Sequence, residues 1–415
     1  MSEKIIDRYH TGYHKNGEIS KEGNLLNGKK SGTWKFYDNY GVLEKEENYL
    51  KGKKVGEFTI YDGKERIKFG SYRNNKLYEY TNRIFSGNIL TRIERYREGK
   101  KHGIWEIFWD VNGIRKKENI NFRNGKKHGL SEEISPLRTI QTFYKNGIKH
   151  GKYKILQTLI HGDDYKKEYD KEVEIGFYKE GKKHGDWIKF DHLYAIKKRK
   201  KIYEKYTYKN GKLDGECFFW FRNFSNLYDV HYKRNTYFEN VYNHLKKMNL
   251  LEYINESNTS DINNTKVTIN FKKDKLHGPS TVQIMNNNGR KGNLIEVNYK
   301  EGKKYGSFNF FTTVYRKKRE INYKNGKLDG KFLEYDIIKG TLTRETNYKN
   351  GQKNGIYRNF DFISGNHILI EEGNFKNDLY DGIWKYYDEY GEIYRGETWK
   401  KGECVDKKKY TPQPF

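Results

Sequence analysis

The sequence predicts an all-β fold, an elongated repeat array of about 13 β-hairpin units forming a long twisted antiparallel meander sheet, with one short helical insertion. Three observations carry that expectation. A short turn phrase recurs at a near-constant step through the 415 residues, an aromatic run follows most copies, and proline occurs only 4 times. Repetition at a fixed period is the signature of stacked supersecondary units. Scarce proline suits an unbroken hydrogen-bond ladder, because proline removes a donor.

The phrase YKNGKLDG appears unchanged at Tyr208–Gly215 and at Tyr323–Gly330. Close copies are YREGKKHG from Tyr96, FRNGKKHG from Phe122, YKNGIKHG from Tyr144, YKEGKKHG from Tyr178, YKEGKKYG from Tyr299 and YKNGQKNG from Tyr348. Looser copies end at Gly32 and start at Tyr49, Phe271 and Phe375. The first glycine, or the Asn or Asp replacing it, falls at positions such as Gly28, Gly99, Gly181, Gly211 and Gly326, with most steps 22 to 28 residues. Longer steps separate Gly147, Gly181, Gly211 and Asp274.

Residues 23–49 show how one unit is built. Asn-Gly tolerates positive φ, which a two-residue hairpin connection demands. The run from Gly32 to Tyr37 is rich in strand formers. Asp38–Gly41 carries turn residues again, and Val42–Tyr49 returns to the next phrase. A step of about 24 residues therefore holds two short strands and two turns, with no room for a helix. Gly28, Gly32, Gly99, Gly103, Gly181, Gly185, Gly211, Gly215, Gly326 and Gly330 are the expected structural glycines, and Trp34, Trp105, Trp187 and Trp384 the expected packing residues. Period-2 alternation puts Trp105, Ile107 and Trp109 on one face, and Trp34 with Phe36 away from Tyr37. Hydrophobic residues make up only 34%, against 37 Tyr and 23 Phe, so a ladder of cross-strand rings is expected in place of a thick aliphatic core.

The aligned pattern Y-x-N-G-K-K-H-G-x-W, as in Tyr96–Trp105 and Tyr178–Trp187, resembles the MORN repeat in its bacterial-type variant, seen in YwqK-type antitoxin-like repeat proteins. The resemblance runs from residue 13 to 405. It departs at the unit near Asn75, which lacks both glycines, and in the middle of the chain. It implies an elongated hairpin sheet and scaffolding or interaction roles, with phosphoinositide binding proposed for some members.

The organisation read from sequence is an N-terminal cap and partial repeat at 1–22, a repeat array at 23–220, an insertion at 221–268, a second array at 269–405 and a tail at 406–415. Within the insertion, Tyr237, Val241, Leu245 and Met248 recur at helical spacing, followed by a polar stretch. Asn255 and Asn263 begin glycosylation-type triplets, at the rate chance gives an Asn-rich chain. No apolar leader or membrane-length run is present, and Cys217 and Cys404 lie far apart in different units. A cytoplasmic location, or an intracellular or virion one for a viral protein, is therefore expected, with no secretion signal or transmembrane segment.

The 82 basic against 55 acidic residues give a formal net charge of +27. Lysines occupy the phrase itself, at Lys29, Lys30, Lys53, Lys54, Lys100, Lys101, Lys126, Lys127, Lys182, Lys183, Lys303 and Lys304. Stacked hairpins would line these up as an edge of paired ammonium groups, able to meet nucleic acid or an anionic membrane surface. Solvated turns also favour lysine, and exposed lysines keep sheets from associating. No catalytic constellation, metal set or cofactor motif is found, so no cofactor or enzyme activity is expected. His102, His128, His150, His184 and His277 repeat one turn position and are too far apart to share a metal whose ligands lie near 2 Å. The expected function is a non-enzymatic scaffold presenting an aromatic and basic β surface to a protein partner. Polyanion binding through the lysine edge and antitoxin-like neutralisation are the alternatives.

Overall fold

The computed structural model describes residues 7–159, 169–190, 202–223, 263–285, 291–312 and 315–410. Among these the chain is all-β. It forms two units, residues 1–201 and 202–415. The first contains seventeen strand segments from Asp7–Tyr13 to Gly185–Phe190, and the second sixteen from Ile202–Lys209 to Glu403–Lys409. Within each unit strands pair antiparallel with their sequence neighbours, as a meander. Two-residue segments such as Lys100–Lys101 are strand starts interrupted by a single residue, here His102.

Hairpin closure follows the phrase. In its fourteen turns both central residues have positive φ, from Asn27 and Gly28 at 51° and 72° to Lys401 and Gly402 at 51° and 85°. That is the type I′ geometry, whose twist matches the flanking strands. Even Asn74 and Asn75, where both glycines are missing, keep it at 50° and 64°. The second turn of each hairpin varies more. Asp38 Oδ1 accepts from the backbone N–H of Tyr40 at 2.9 Å and of Val42 at 2.8 Å, and Asp388 repeats this with Tyr390 and Glu392.

Four residues beyond twelve of these fourteen turns a bulge breaks the ladder. The second phrase glycine sits there with positive φ, as at Gly32 (68°), Gly103 (71°), Gly185 (69°), Gly215 (126°) and Gly330 (108°). In four units a tryptophan comes two residues further on. Its indole N–H donates to a carbonyl of the preceding strand: Trp34 to Asn24 at 3.0 Å, Trp105 to Arg95 at 2.8 Å, Trp187 to Phe177 at 3.2 Å and Trp384 to Asn374 at 3.2 Å. The Arg95 carbonyl also accepts from the His102 backbone N–H at 2.9 Å, so both its lone pairs are used. Trp34 is 1% exposed and Trp384 0%. Three of these rings press on a glycine of the preceding strand. A Cβ would lie 2.6 Å from the Trp34 ring at Gly23, 2.4 Å from Trp187 at Gly176 and 2.2 Å from Trp384 at Gly373.

Rings connect across strands as expected. Tyr80, Tyr96, Trp105 and Phe122 form a run with centroid separations of 4.8, 5.2 and 5.3 Å. Trp384 touches Tyr357, Phe375 and Tyr380 in the second unit. Tyr37 turns to the other face and donates its hydroxyl to Glu22 at 2.6 Å.

Two expectations change. In the second unit Val267, Ile269, Val282, Ile284, Leu294, Ile295 and Val297 join Phe219, Phe308 and Phe310 in one buried cluster, so an aliphatic core is added to the ring contacts in these strands. Phe271 of the phrase and the β-branched residues of neighbouring strands share one face, which collects what composition averaged away. The expected insertion also begins later and ends earlier than 221–268. Gly215–Asn223 and Asn263–Lys272 are paired strands, with Asn223 opposite Asn263, so both ends belong to a hairpin. The helix expected around Tyr237–Met248 lies outside the described residues.

Gly373→Ala is expected to destabilise the second unit by about 1–3 kcal/mol through overpacking, and Trp384→Ala by about 3–5 kcal/mol through loss of a buried ring. Hydrogen exchange measures both. Loss of protection is expected in the strands Asn366–Lys376, Leu379–Tyr387 and Ile393–Lys400, with distant strands unchanged, because repeat arrays open locally.

Candidate functional site

The hairpin ends carrying the phrase are tied to one another. The second turn residue donates its N–H to a carbonyl of the preceding hairpin: Gly52 to Lys30 at 2.9 Å, Gly125 to Lys101 at 2.8 Å, Gly147 to Lys127 at 2.7 Å and Gly326 to Lys304 at 2.9 Å. The residue before the second glycine caps the first turn residue of the next hairpin. His128 Nδ1 faces the Asn146 N–H at 3.4 Å, His277 Nδ1 faces that of Glu301 at 3.4 Å, and Asp329 accepts from Asn350 at 3.1 Å. Aspartate serves where histidine does, so His128 and His277 are turn acceptors. Among the described residues no group of three or more His, Cys, Asp or Glu is placed to hold a metal ion.

The paired lysines of the phrase do not form one edge. Adjacent residues of a strand project to opposite faces. The first lysine of each pair, Lys29, Lys53, Lys100, Lys126, Lys182 and Lys303, is exposed. The second folds back over the ring column. Lys30 Nζ lies 4.4 Å from the Trp34 centroid, 4.6 Å from Phe36 and 4.8 Å from Tyr49. Lys101 and Lys183 sit over Trp105 and Trp187 at 4.1 and 4.2 Å, Lys304 over Phe308 at 4.6 Å, Lys127 over Tyr144 at 5.3 Å and Lys54 over Tyr72 at 5.1 Å. Each such cation–ring pair is worth roughly 0.5–2 kcal/mol, rising with desolvation. Burial lowers the pKa of Lys30 and of Lys183, since the rings displace water without supplying a full counter-charge. The strict register of phrase and tryptophan, four residues apart, carries this split, and period-2 parity is the signal that could have exposed it.

Buried glutamates complete the ring face, and nothing in the phrase announces them. Glu47 is 2% exposed and accepts from Tyr49 Oη at 2.6 Å and Lys54 Nζ at 2.8 Å, with Lys45 Nζ at 3.6 Å. Burial pushes its pKa up, but the hydrogen bonds from Lys54 and Tyr49 and the two ammonium charges outweigh burial and hold it below the usual range. Glu397 repeats the arrangement with Tyr386 and Trp399, each at 3.1 Å. These groups are fully engaged in holding strands together.

The opposite hairpin ends differ in chemistry. In the first unit Tyr40 is 89% exposed, and Val42, Ile89, Ile114 and Leu137 are exposed at the variable turns. In the second unit Tyr390 is 75% and Ile338 73% exposed at the same kind of turn. The three most exposed apolar side chains, Tyr40, Tyr390 and Ile338, thus lie at the turns that vary, while Leu50, Ile148 and Leu379 are exposed beside the lysine-bearing ones.

No family model and no curated protein matches the chain. Solved structures that align with it are the crystal structures of TcdB2-TccC3-Cdc42 (9% identity, TM-score 0.16, 95% of this chain and 22% of that one) and of TcdB2-TccC3 (10% identity, TM-score 0.18, 97% and 24%). The chain thus spans about a quarter or less of those chains. At such TM-scores the likeness carries neither fold nor function. Among the described residues no helix is long and apolar enough to cross a membrane.

Phenols on both faces of the sheet give a pH expectation. Burial, followed by the Glu22 hydrogen bond, raises the Tyr37 pKa to about 12. Burial and Glu94 do the same for Tyr96, again to about 12. Burial with Glu397 and with Glu372 takes Tyr386 and Tyr387 to about 12. The unfolded value is about 10. Folding thus favours the neutral phenol, so this stability is fully present below pH ~10 and is lost as pH rises through about 12. In a spectrophotometric titration, tyrosinate absorbance is expected to rise late and to coincide with loss of the β circular-dichroism signal. Titration of all the tyrosines near pH ~10 with the fold intact would contradict it.

Proposed function

We propose that the chain is a non-enzymatic repeat scaffold of the MORN type, which holds a protein partner on the apolar turn ends of its hairpins. The observation behind this reading is the row of exposed apolar side chains at those turns, with Tyr40, Tyr390 and Ile338 the most exposed. Scattered surface hydrophobics need no explanation, but here the three most exposed all lie at one end of the repeat, while the tryptophans and most rings are packed. Tyrosine is a common anchor at protein interfaces, pairing a large rigid ring with a polar tip. The aromatic face itself is a poorer docking surface than the sequence suggested, because lysine stems cover it. We place this role inside the cell, since Cys217 and Cys404 are both thiols and a reducing compartment keeps them so. An antitoxin-like role follows from the repeat resemblance alone, and a toxin would be one instance of such a protein partner.

Replacing Tyr40, Ile89, Leu137, Ile338 and Tyr390 by Ser tests this. Exposed substitutions change stability within about ±0.5 kcal/mol each, so the fold is expected to survive. In capture from nuclease-treated native lysate, the parent is expected to retain a protein at about 0.5 M salt, where surface charge interactions are screened. The serine variant is expected to lose it. Equal capture by both proteins, or none by the parent, would overturn the reading.

A further inference from the structure

Directly beside the phrase turns, like charges face each other. Arg73 is the register partner of Lys76, Arg97 of Lys100 and Arg123 of Lys126. These are the flanking pairs of three successive type I′ turns in the first unit. Like charges directly opposite on a sheet are destabilising. Nothing in the turn geometry requires them, since Leu26 faces Lys29 and Lys145 faces Ile148 at the same register. Of the six groups, and among the described residues, Arg97 alone meets a carboxylate in an ion pair, Glu79 at 3.1 Å, and Arg73 stacks on Tyr78 at 3.8 Å. Glu98 lies in the turn between Arg97 and Lys100.

The pairs share one face. Tyr72, Tyr96 and Phe122 lie in the ring column, so the adjacent Arg73, Arg97 and Arg123 project from the other side of the sheet. Successive ends are two strands apart, about 10 Å. The bonds from Glu98 N–H to the Tyr78 carbonyl at 2.6 Å and from Gly125 N–H to Lys101 at 2.8 Å hold that step. The result is a fixed row of doubly charged cationic ends, each pairing a guanidinium fork suited to phosphate with a compact ammonium.

We propose that this row binds the phosphate backbone of a single-stranded nucleic acid. A partner must repeat its negative charge along a line, as a phosphodiester chain does. Strands of a sheet rotate by about 20–25° each, so successive ends turn by roughly twice that. A flat anionic bilayer or a stiff duplex meets few of them at once, while a flexible single strand follows the row. This site is separate from the apolar turn ends at which a protein partner is placed, and it stands whether or not that partner exists.

The test compares the parent, the triple variant Arg73→Gln, Arg97→Gln, Arg123→Gln, and a control in which exposed Lys15, Lys35 and Lys64 become Gln. The probe is a labelled oligothymidylate long enough to span the three ends, read by fluorescence anisotropy across a salt series. The parent is expected to bind at about 0.1 M salt. The triple variant is expected to bind at least about tenfold more weakly, with a salt slope smaller by up to about 0.7 for each phosphate no longer neutralised. Its thermal midpoint is expected to stay close to the parent's, because relief of three repulsive pairs offsets loss of the Arg97–Glu79 ion pair and the Arg73–Tyr78 stack. The control is expected to bind like the parent. Absence of binding by the parent would overturn the proposal, as would equal weakening in control and variant, or tighter binding to a duplex or to phosphatidylserine vesicles than to the oligonucleotide.

Discussion

The type I′ turn, closed by two residues at positive φ and hydrogen-bonded back onto the preceding hairpin, is the constraint on which the rest of the molecule depends. It fixes the register of the two strands it joins, and through the bond from Gly52 to Lys30, or Gly326 to Lys304, it fixes one hairpin against the last. Register then decides everything with period 2. A slip of one residue would exchange the ring face and the polar face along the whole strand. Asn74–Asn75 and Lys273–Asp274 show how strongly the geometry is held, since residues with a Cβ accept positive φ there.

From that register follows the division of labour between neighbouring lysines. Lys30 and Lys29 are adjacent in sequence and opposite in role, one lying over three rings and the other exposed. A sheet without a thick core needs something to keep water from its aromatic face, and the aliphatic stems of the second lysines do this while their ammonium groups sit over the rings. Buried Glu47 and Glu397 add local neutralisation. The excess positive charge is therefore divided between groups that seal the fold and groups free to meet a partner.

Much of this was legible in the letters. The phrase located every hairpin, including the degenerate one at Asn75, because turn chemistry is local. Trp34, Trp105, Trp187 and Trp384 were recognisable as packing residues from their fixed distance to the phrase. The aliphatic cluster around Val267 and Val297 was not, because whole-chain composition hides a local concentration. The ends of the insertion were also misplaced, since Phe218, Phe219 and Val267 belong to strands whose pairing spans a long sequence gap.

Fold class, period and the turn at which each hairpin closes follow from the letters alone, since these rest on backbone conformations that Gly, Asn and Asp adopt locally. Only the tertiary structure decided what the charges do. Whether a lysine covers a ring, whether a glutamate is buried among phenols, and whether Arg73, Arg97 and Arg123 stand opposite lysines all depend on which residues the ladder brings face to face. That pairing lies across strands, where no local signal reaches.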